Sequence, residues 1–227
     1  MAFYSEKLTR HTFEQTRDVW SKYLAQTGFR TQLMVSIVVL VLALLSISQF
    51  LIYAESRDGS VILDPILSLF HPKDFTWTIF TLLYGSLIST LVYFFMFYPN
   101  LVLIGLQTYS LMVFLRIFAM YLIPLEAPAT TIVLLDPFVQ FWTNASAPFT
   151  KDLFFSGHTA TYFILYFLMP VSPFKKALLM GAFVMGALLV MQHVHYTIDI
   201  LAAPFFSYAA YRTSLFLQKA MIDTRLK

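Results

Sequence analysis

The sequence predicts an all-α, polytopic membrane protein with six transmembrane helices and an N-terminal amphipathic helix in the membrane interface. Hydrophobic residues make up 59% of the 227 positions and charged residues only 12%, about half the charged share of a soluble domain. The apolar residues form unbroken blocks, without the periodicity of half-exposed elements. Six blocks match the length of about 20 residues with which a helix crosses a bilayer core of about 30 Å.

These blocks define the spans and divide the chain into three parts. The predicted spans are about Gln32 to Tyr53, Phe75 to Tyr98, Leu101 to Ile123, Ser156 to Pro170, Phe174 to Gln192 and about Tyr196 to Leu217. Residues 1–31 are predicted to form the interfacial segment, residues 32–218 the six-span membrane domain and residues 219–227 a cytoplasmic tail.

The segment before the first span has the pattern of a helix in the headgroup layer. Phe13, Trp20 and Leu24 recur at helical spacing, and basic residues fall between them, as in interfacial anchors. The segment lacks the short charged lead and small-residue cleavage site of a signal peptide. We therefore expect the first span to remain in the mature protein.

Charge predicts the orientation of the spans. With a cytoplasmic N-terminus, the inner segments hold eleven basic residues, whereas the outer loops hold only Arg57, Lys73 and Lys151. This asymmetry predicts that both termini are cytoplasmic. Most acidic residues and three histidines then collect on the extracytoplasmic or lumenal face, where we expect the chemistry. The lack of a basic run with interleaved aromatics argues against a nucleic-acid partner.

The segment from Pro124 to Phe154 is longer than a plain connector, and loops of this length usually have a function. Its apolar middle, from Ile132 to Trp142, is too short to span the bilayer. This part is predicted either to roof a site as a re-entrant or interfacial segment, or to pack over helix ends without a further role.

Two groups of residues have the chemistry of a phosphoryl-transfer site. His195 and Asp199 stand at i and i+4, so an aspartate can orient the imidazole and leave its second nitrogen free to react. Ser156, Gly157 and His158 place another histidine at a new helix N-terminus, where backbone amides can bind a phosphate. His158, His195 and Asp199 are the predicted catalytic residues.

Arg116, inside the third span, is predicted to bind substrate phosphate, with snorkelling to the headgroups as its alternative. Asp152, Ser156, Gly157, His193 and Tyr196 complete the predicted substrate-binding set. The absence of cysteine and of a His-Glu-x-x-His motif argues against a zinc site, and no metal or cofactor is predicted. An alternative of another class is a transporter or flippase with a histidine proton relay, which predicts charges near the midplane and broken helices.

Two segments, from Asp152 to Thr159 and from His195 to Ile200, resemble the C-terminal signature motifs of the sphingomyelin synthase family. That family is a branch of the type 2 phosphatidic acid phosphatase superfamily. Upstream, Arg116, Met120, Leu122 and Pro124 resemble its third-span motif, and Leu63-Asp64-Pro65 is similar to its first-loop motif.

The resemblance implies metal-independent transfer of a phospho-headgroup from a phospholipid donor to a lipid alcohol acceptor, ceramide or diacylglycerol. It implies that His195 attacks the phosphorus, that Asp199 holds His195, and that His158 is the general acid and then the base. Asp152 and His193 would support them. The partners implied are these lipids and the membrane, and an oligomer is left open.

The chain also departs from these families. It has no Arg-Pro pair, Leu188 and Leu189 replace the superfamily's Ser-Arg pair, and Thr150 and Lys151 replace the synthase cysteine and glycine. A phosphate monoester carries about two negative charges, whereas a diester carries one that Arg116 alone can match. The departures favour headgroup transfer or phospholipase C-like cleavage over lipid phosphatase activity, which stays an alternative.

Overall fold

The computed structural model describes residues 13–135 and 148–223, and these ranges contain seven α-helices and no β-strand. The all-α prediction is confirmed for them. The helices are α1 Phe13–Ala25, α2 Thr27–Glu55, α3 Thr76–Phe97, α4 Pro99–Leu122, α5 Gly157–Leu168, α6 Ser172–Met191 and α7 Thr197–Asp223. A short 3₁₀ turn, Leu67–Leu69, lies between α2 and α3.

Four of the described helices, α2, α3, α4 and α6, are long and apolar enough to cross a membrane. Helix α5 has 12 residues and rises about 18 Å, at 1.5 Å per residue, which is shorter than a bilayer core of about 30 Å. Helix α7 has 27 residues but is more polar and contains Pro204. The chain therefore has the helices of an integral membrane protein, and the total of six spans stays a prediction.

Helix α2 extends beyond its predicted span at both ends. It begins at Thr27 and ends at Glu55, whereas the apolar block runs from about Gln32 to Tyr53. An apolar block marks the part of a helix that suits lipid, while backbone hydrogen bonding continues into the polar residues beyond it. The added residues include Glu55, which contacts the candidate site.

Helix α5 is the inner element of the bundle, packed against α3, α4, α6 and α7. Most of its side chains are buried, as expected for a helix that is apolar on all sides. Helices α6 and α7 approach closely at Gly186, where an added Cβ would lie 2.6 Å from Ile200 Cγ2. Gly186 thus serves helix packing within the chain.

Helix α1 is tied to the end of α3. The Trp20 indole Nε1 donates to the Phe95 carbonyl at 2.6 Å, and the Thr16 hydroxyl donates to the Met96 carbonyl at 3.4 Å. These bonds satisfy two carbonyls in the last turn of α3, which have no partner within that helix. The position of α1 in the membrane interface stays a prediction.

The helix ends that carry the predicted site residues meet at one face, which we call the loop face and define by residues 56–75, 123–135, 148–156 and 192–196. Two of its segments pair directly, because the Ser60 amide donates to the Pro124 carbonyl at 2.9 Å and the Glu126 amide donates to the Ser60 carbonyl at 3.1 Å. Gly59 permits this approach, since an added Cβ would lie 2.5 Å from the Leu125 carbonyl carbon.

Gly59→Ala is predicted to destabilise the protein by about 1–3 kcal/mol, because the new methyl group meets backbone that cannot rotate away. Gly85→Ala is the matched control, because nothing lies within 4 Å of its added Cβ and alanine favours a helix. The measurement is thermal unfolding in detergent. Equal midpoints for the two variants would contradict the close approach at Gly59.

Candidate active site

The segment Ser156-Gly157-His158 forms the start of α5, as the sequence predicts. Ser156 is the N-cap, and its side chain accepts a hydrogen bond from the Thr159 amide at 3.4 Å. The side chain of Ser156 is fully buried, so it serves the helix end. His158 follows in the first turn and lines a pocket at the loop face.

His195 and Asp199 form the predicted pair, with 3.2 Å between His195 Nδ1 and Asp199 Oδ2. Both side chains are buried. Helix α7 begins at Thr197, so His195 precedes it, and Asp199 Oδ2 also accepts from the Tyr196 amide at 3.1 Å. An ionised carboxylate at Nδ1 favours the tautomer with its proton there, which leaves a lone pair on His195 Nε2.

One backbone hydrogen bond joins the two predicted motifs. The Ser156 amide donates to the Asp199 carbonyl at 3.2 Å, so the cap of α5 is attached to the first turn of α7. His158 and His195 then line the same pocket, of about 70 Å³. Its described lining residues are Thr131, Val133, Leu134, Leu135, Pro148, Phe149, Thr150, Asp152, His158, Val194 and His195.

Of the predicted roof, Ile132 to Trp142, the structure describes the first four residues, and the rest lies outside the described residues. Val133, Leu134 and Leu135 line the pocket. Their side chains give it an apolar wall next to the two histidines.

Arg116 is buried behind this pocket and does not line it. Its Nε donates to the Phe155 carbonyl at 2.7 Å, and its Nη2 lies 2.6 Å from Asp152 Oδ1. The guanidinium also packs against Gly157, where an added Cβ would lie 3.0 Å from its Cζ. Arg116 is 9% exposed, which disagrees with the snorkelling alternative. Gly157 makes room for this guanidinium, a reason for a glycine that the sequence alone does not give.

The segment that carries Asp152 is held by carboxylates from two other parts of the chain. Glu55, at the end of α2, accepts from the Thr150 amide and hydroxyl and, at 2.7 Å, from the Lys151 amide. The Lys151 ammonium lies 2.7 Å from Glu126 Oε1 and also donates to the Arg57 carbonyl. These contacts fix the segment that leads into α5.

His193 has a structural position that differs from the predicted substrate contact. Its φ is 58°, and it is the left-handed residue of a Schellman motif that ends α6. In this motif the His193 amide donates to the Val190 carbonyl, and the Val194 amide donates to the Leu189 carbonyl, both at 3.0 Å. Its Nδ1 lies 2.5 Å from the Thr130 hydroxyl. The structure therefore places His193 in the turn before His195 and outside the pocket lining.

Tyr196 is also outside the described pocket lining. Its buried hydroxyl donates to the Glu126 carbonyl at 2.9 Å and accepts from the Ile62 amide at 3.4 Å. The ring packs in a small apolar cluster with Leu67 and Leu125. Tyr196 thus connects the turn before α7 to the two longer loops of the loop face.

Two further residues that hold the site, like Glu55 and Glu126, were not among the predicted site residues. Asp64 Oδ2 accepts from the Thr197 amide at 2.6 Å, and Asp64 Oδ1 accepts from the Thr197 hydroxyl at 3.2 Å, so a distant loop caps α7. Gln192 is fully buried and bonds the Phe75 amide at 2.7 Å and the Ile132 carbonyl at 3.2 Å. In the sequence, only the likeness of Leu63-Asp64-Pro65 to a family motif pointed to Asp64, and nothing pointed to Gln192.

Asp64→Ala is predicted to destabilise α7 by about 1 kcal/mol, as loss of a cap does, and to lower activity by displacing His195 and Asp199. Burial alone would raise the pKa of the Asp64 carboxyl, but the hydrogen bonds from Thr197, Ile66 and Leu67 lower it by more than that. The pKa therefore lies below its ordinary value of 3.8. The carboxylate therefore stabilises the protein above about pH 3.8, and this stability is lost as the pH falls through its lower folded-state pKa.

The control is Asp74→Ala, because Asp74 Oδ1 accepts from the Thr76 amide at 2.8 Å at the start of α3 and is outside the pocket lining. Unfolding curves between pH 3 and 7 and lipid-headgroup turnover at pH 7 are the measurements. If both variants lose turnover equally, the cap at Thr197 has no specific role in the site.

His193→Asn is predicted to alter the pH dependence of stability while it keeps the turn, because asparagine tolerates a left-handed backbone. Burial lowers the pKa of His193 from 6.5, and the nearby Asp64 only partly opposes this. The neutral ring contributes stability that is full above about pH 6.5 and is lost as the pH falls through the folded-state pKa. Between pH 7 and 5 the natural protein should lose more thermal stability than the variant, and parallel curves would refute this.

One comparison with known proteins found a match in the C-terminal part of the chain. Residues 151–215 match the family model described as PAP2 superfamily C-terminal, a range that holds His158, His195 and Asp199. The comparisons with curated proteins and with solved structures found no significant match. Members of this superfamily are generally phosphoesterases that act on lipids. The match covers 65 of the 227 residues, and the four apolar helices are those expected of an integral membrane protein.

Proposed function

We propose that the protein is a lipid phosphotransferase, similar to sphingomyelin synthases, that moves a phospho-headgroup from a phospholipid to ceramide or diacylglycerol. The observation that carries this proposal is the buried His195–Asp199 pair in the same pocket as His158. One oriented nucleophile and a second histidine are what a two-step transfer needs.

In the first step, His195 Nε2 attacks the donor phosphorus, a P–N bond forms and the P–O bond to the glycerol oxygen breaks. His158 gives its proton to the departing oxygen. In the second step, His158 removes the proton of the acceptor hydroxyl, whose oxygen attacks the phosphorus and breaks the P–N bond. Asp199 stabilises the cationic ring that His195 becomes during the reaction.

The backbone at the start of α5 supports binding of the transferred phosphate. The Gly157 amide is in the first turn of α5, and the amides of a first helical turn have no acceptor within the helix and can donate to an anion. Ser156 already bonds Thr159, so it holds the helix end in place. No metal is included in the proposed reaction, and a chelator should leave turnover unchanged.

The apolar wall of the pocket favours a lipid acceptor. Val133, Leu134 and Phe149 line it beside the histidines, and a site from which water is excluded protects a phosphohistidine from hydrolysis. We also propose that the loop face is extracytoplasmic or lumenal, with both termini cytoplasmic. The predicted position of the histidines at helix ends favours an enzyme over a transporter with a midplane relay.

The test is to incubate the purified protein in mixed micelles with a headgroup-labelled phospholipid, with and without ceramide or diacylglycerol. A transferase makes a new labelled lipid only when acceptor is present. Without acceptor, the label should accumulate on the protein. Soluble headgroup phosphate released at one rate in both conditions would replace the proposal with a phospholipase C-like hydrolase, and inorganic phosphate from phosphatidate would favour a phosphatase.

His195→Ala and Asp199→Asn are predicted to lose turnover by roughly 10³-fold or more while the protein still folds, because both act on charge that develops during transfer. His195→Ala should also abolish labelling of the protein. The matched control is His71→Ala, since His71 is an exposed histidine of the loop face. Retained turnover in His195→Ala, or equal loss in His71→Ala, would refute the assignment.

A further inference from the structure

The ion pair between Arg116 and Asp152 leaves the candidate site without an uncompensated guanidinium. The Nη2 of Arg116 lies 2.6 Å from Asp152 Oδ1, and its Nε donates to the Phe155 carbonyl. The two side chains together carry no net charge, whereas the sequence predicted a positive charge from Arg116 at this position. The side chain of Asp152 keeps 28% of its area exposed and lines the pocket. The pocket therefore presents the carboxylate of the pair, and the arginine stands behind it.

The other cationic side chains near the site contact other groups or lie outside the described pocket lining. Lys151 is paired with Glu126 at 2.7 Å. Arg57 bonds the Tyr121 carbonyl at 3.1 Å and lies over the Tyr121 ring. Residues 136–147, between the two described ranges, include no lysine, arginine or histidine. Among the described lining residues, Asp152 carries the only full charge besides what the two histidines can carry.

This charge balance discriminates between substrates. A phosphate monoester such as phosphatidate carries about 1.5 to 2 negative charges near pH 7, and an anion is costly to bind where no cation compensates it. A phosphodiester carries one negative charge, which fits the helix amides and a protonated His158.

We infer that Asp152 is a specificity-determining residue, which cancels the charge of Arg116 and so makes the site reject dianionic phosphate monoesters. The inference rests on the proposed function, since it concerns the donors that the same site accepts. Arg116 is then a positioning residue for the segment from Asp152 to Gly157. Its charge becomes available to a substrate phosphate only when Asp152 is neutralised.

The test is a cycle of four proteins that differ in the net charge of the pair. Taking arginine as +1 and aspartate as −1, the natural pair sums to 0, Asp152→Asn to +1, Arg116→Gln to −1, and the double variant to 0. Asparagine keeps the shape of Asp152 and an oxygen that can accept from Arg116. Two values of kcat/KM are measured in neutral detergent micelles, one for phosphate release from phosphatidate and one for headgroup release or transfer from a zwitterionic phosphodiester lipid. The quantity compared between the four proteins is the ratio of the first value to the second.

The expected result is a ratio that follows the charge of the pair. Asp152→Asn should raise it roughly tenfold or more, because a charge-assisted bond to the monoester becomes available. Arg116→Gln should lower it, and the double variant should return it towards the natural value. Asp58→Asn, at an exposed aspartate of the loop face, removes the same charge away from the pocket and should leave it unchanged.

A ratio in Asp152→Asn equal to that of the natural protein would overturn the inference, as would a double variant that keeps the full increase. If Asp152→Asn does not fold, competition in the natural protein decides. Phosphatidate should inhibit diester turnover much more weakly than a non-hydrolysable zwitterionic phosphodiester analogue does, and equal inhibition refutes the inference. Failure of the proposed function would look different, because the natural protein would then form no new labelled lipid when ceramide or diacylglycerol is present, whatever the ratio is in the variants.

Discussion

The hydrogen bond from the Ser156 amide to the Asp199 carbonyl is the contact through which the two halves of the candidate site are assembled. It attaches the N-cap of α5 to the first turn of α7, so that His158, in α5, and His195, just before α7, line one pocket. Asp199 acts twice, since its carbonyl holds α5 and its carboxylate holds His195. A small shift of α7 would therefore disturb both histidines.

Around this contact, two ion pairs neutralise their own charges, Arg116 with Asp152 and Lys151 with Glu126. Arg116 is buried against Asp152 and the carbonyls of its segment, and Glu55 accepts hydrogen bonds from the amides of Thr150 and Lys151. Buried charges are tolerated only when they are paired and hydrogen-bonded. The contacts that meet this requirement also fix the backbone that leads into α5. The same contacts therefore neutralise the charges and position His158.

The resulting pocket combines reactive imidazoles, an apolar wall and a carboxylate. An apolar wall suits lipid substrates and helps to exclude water, and a helix N-terminus suits the phosphate. The compensated arginine distinguishes this arrangement from one built to bind a dianion. Under the proposed function, the charge of the donor phosphate determines which donors bind, and the apolar wall of the pocket favours a lipid acceptor.

The sequence alone determined the all-α class, the helices at all six apolar blocks and the pairing of His195 with Asp199, because block length and an i, i+4 spacing are local properties. Only the tertiary structure decided the neighbours of Arg116, the reason for Gly157, and the structural positions of His193 and Tyr196. Asp64 meets Thr197 across 133 residues of chain, and Gln192 meets Phe75 across 117. Such contacts depend on how loops from separate helices meet, which no local pattern encodes.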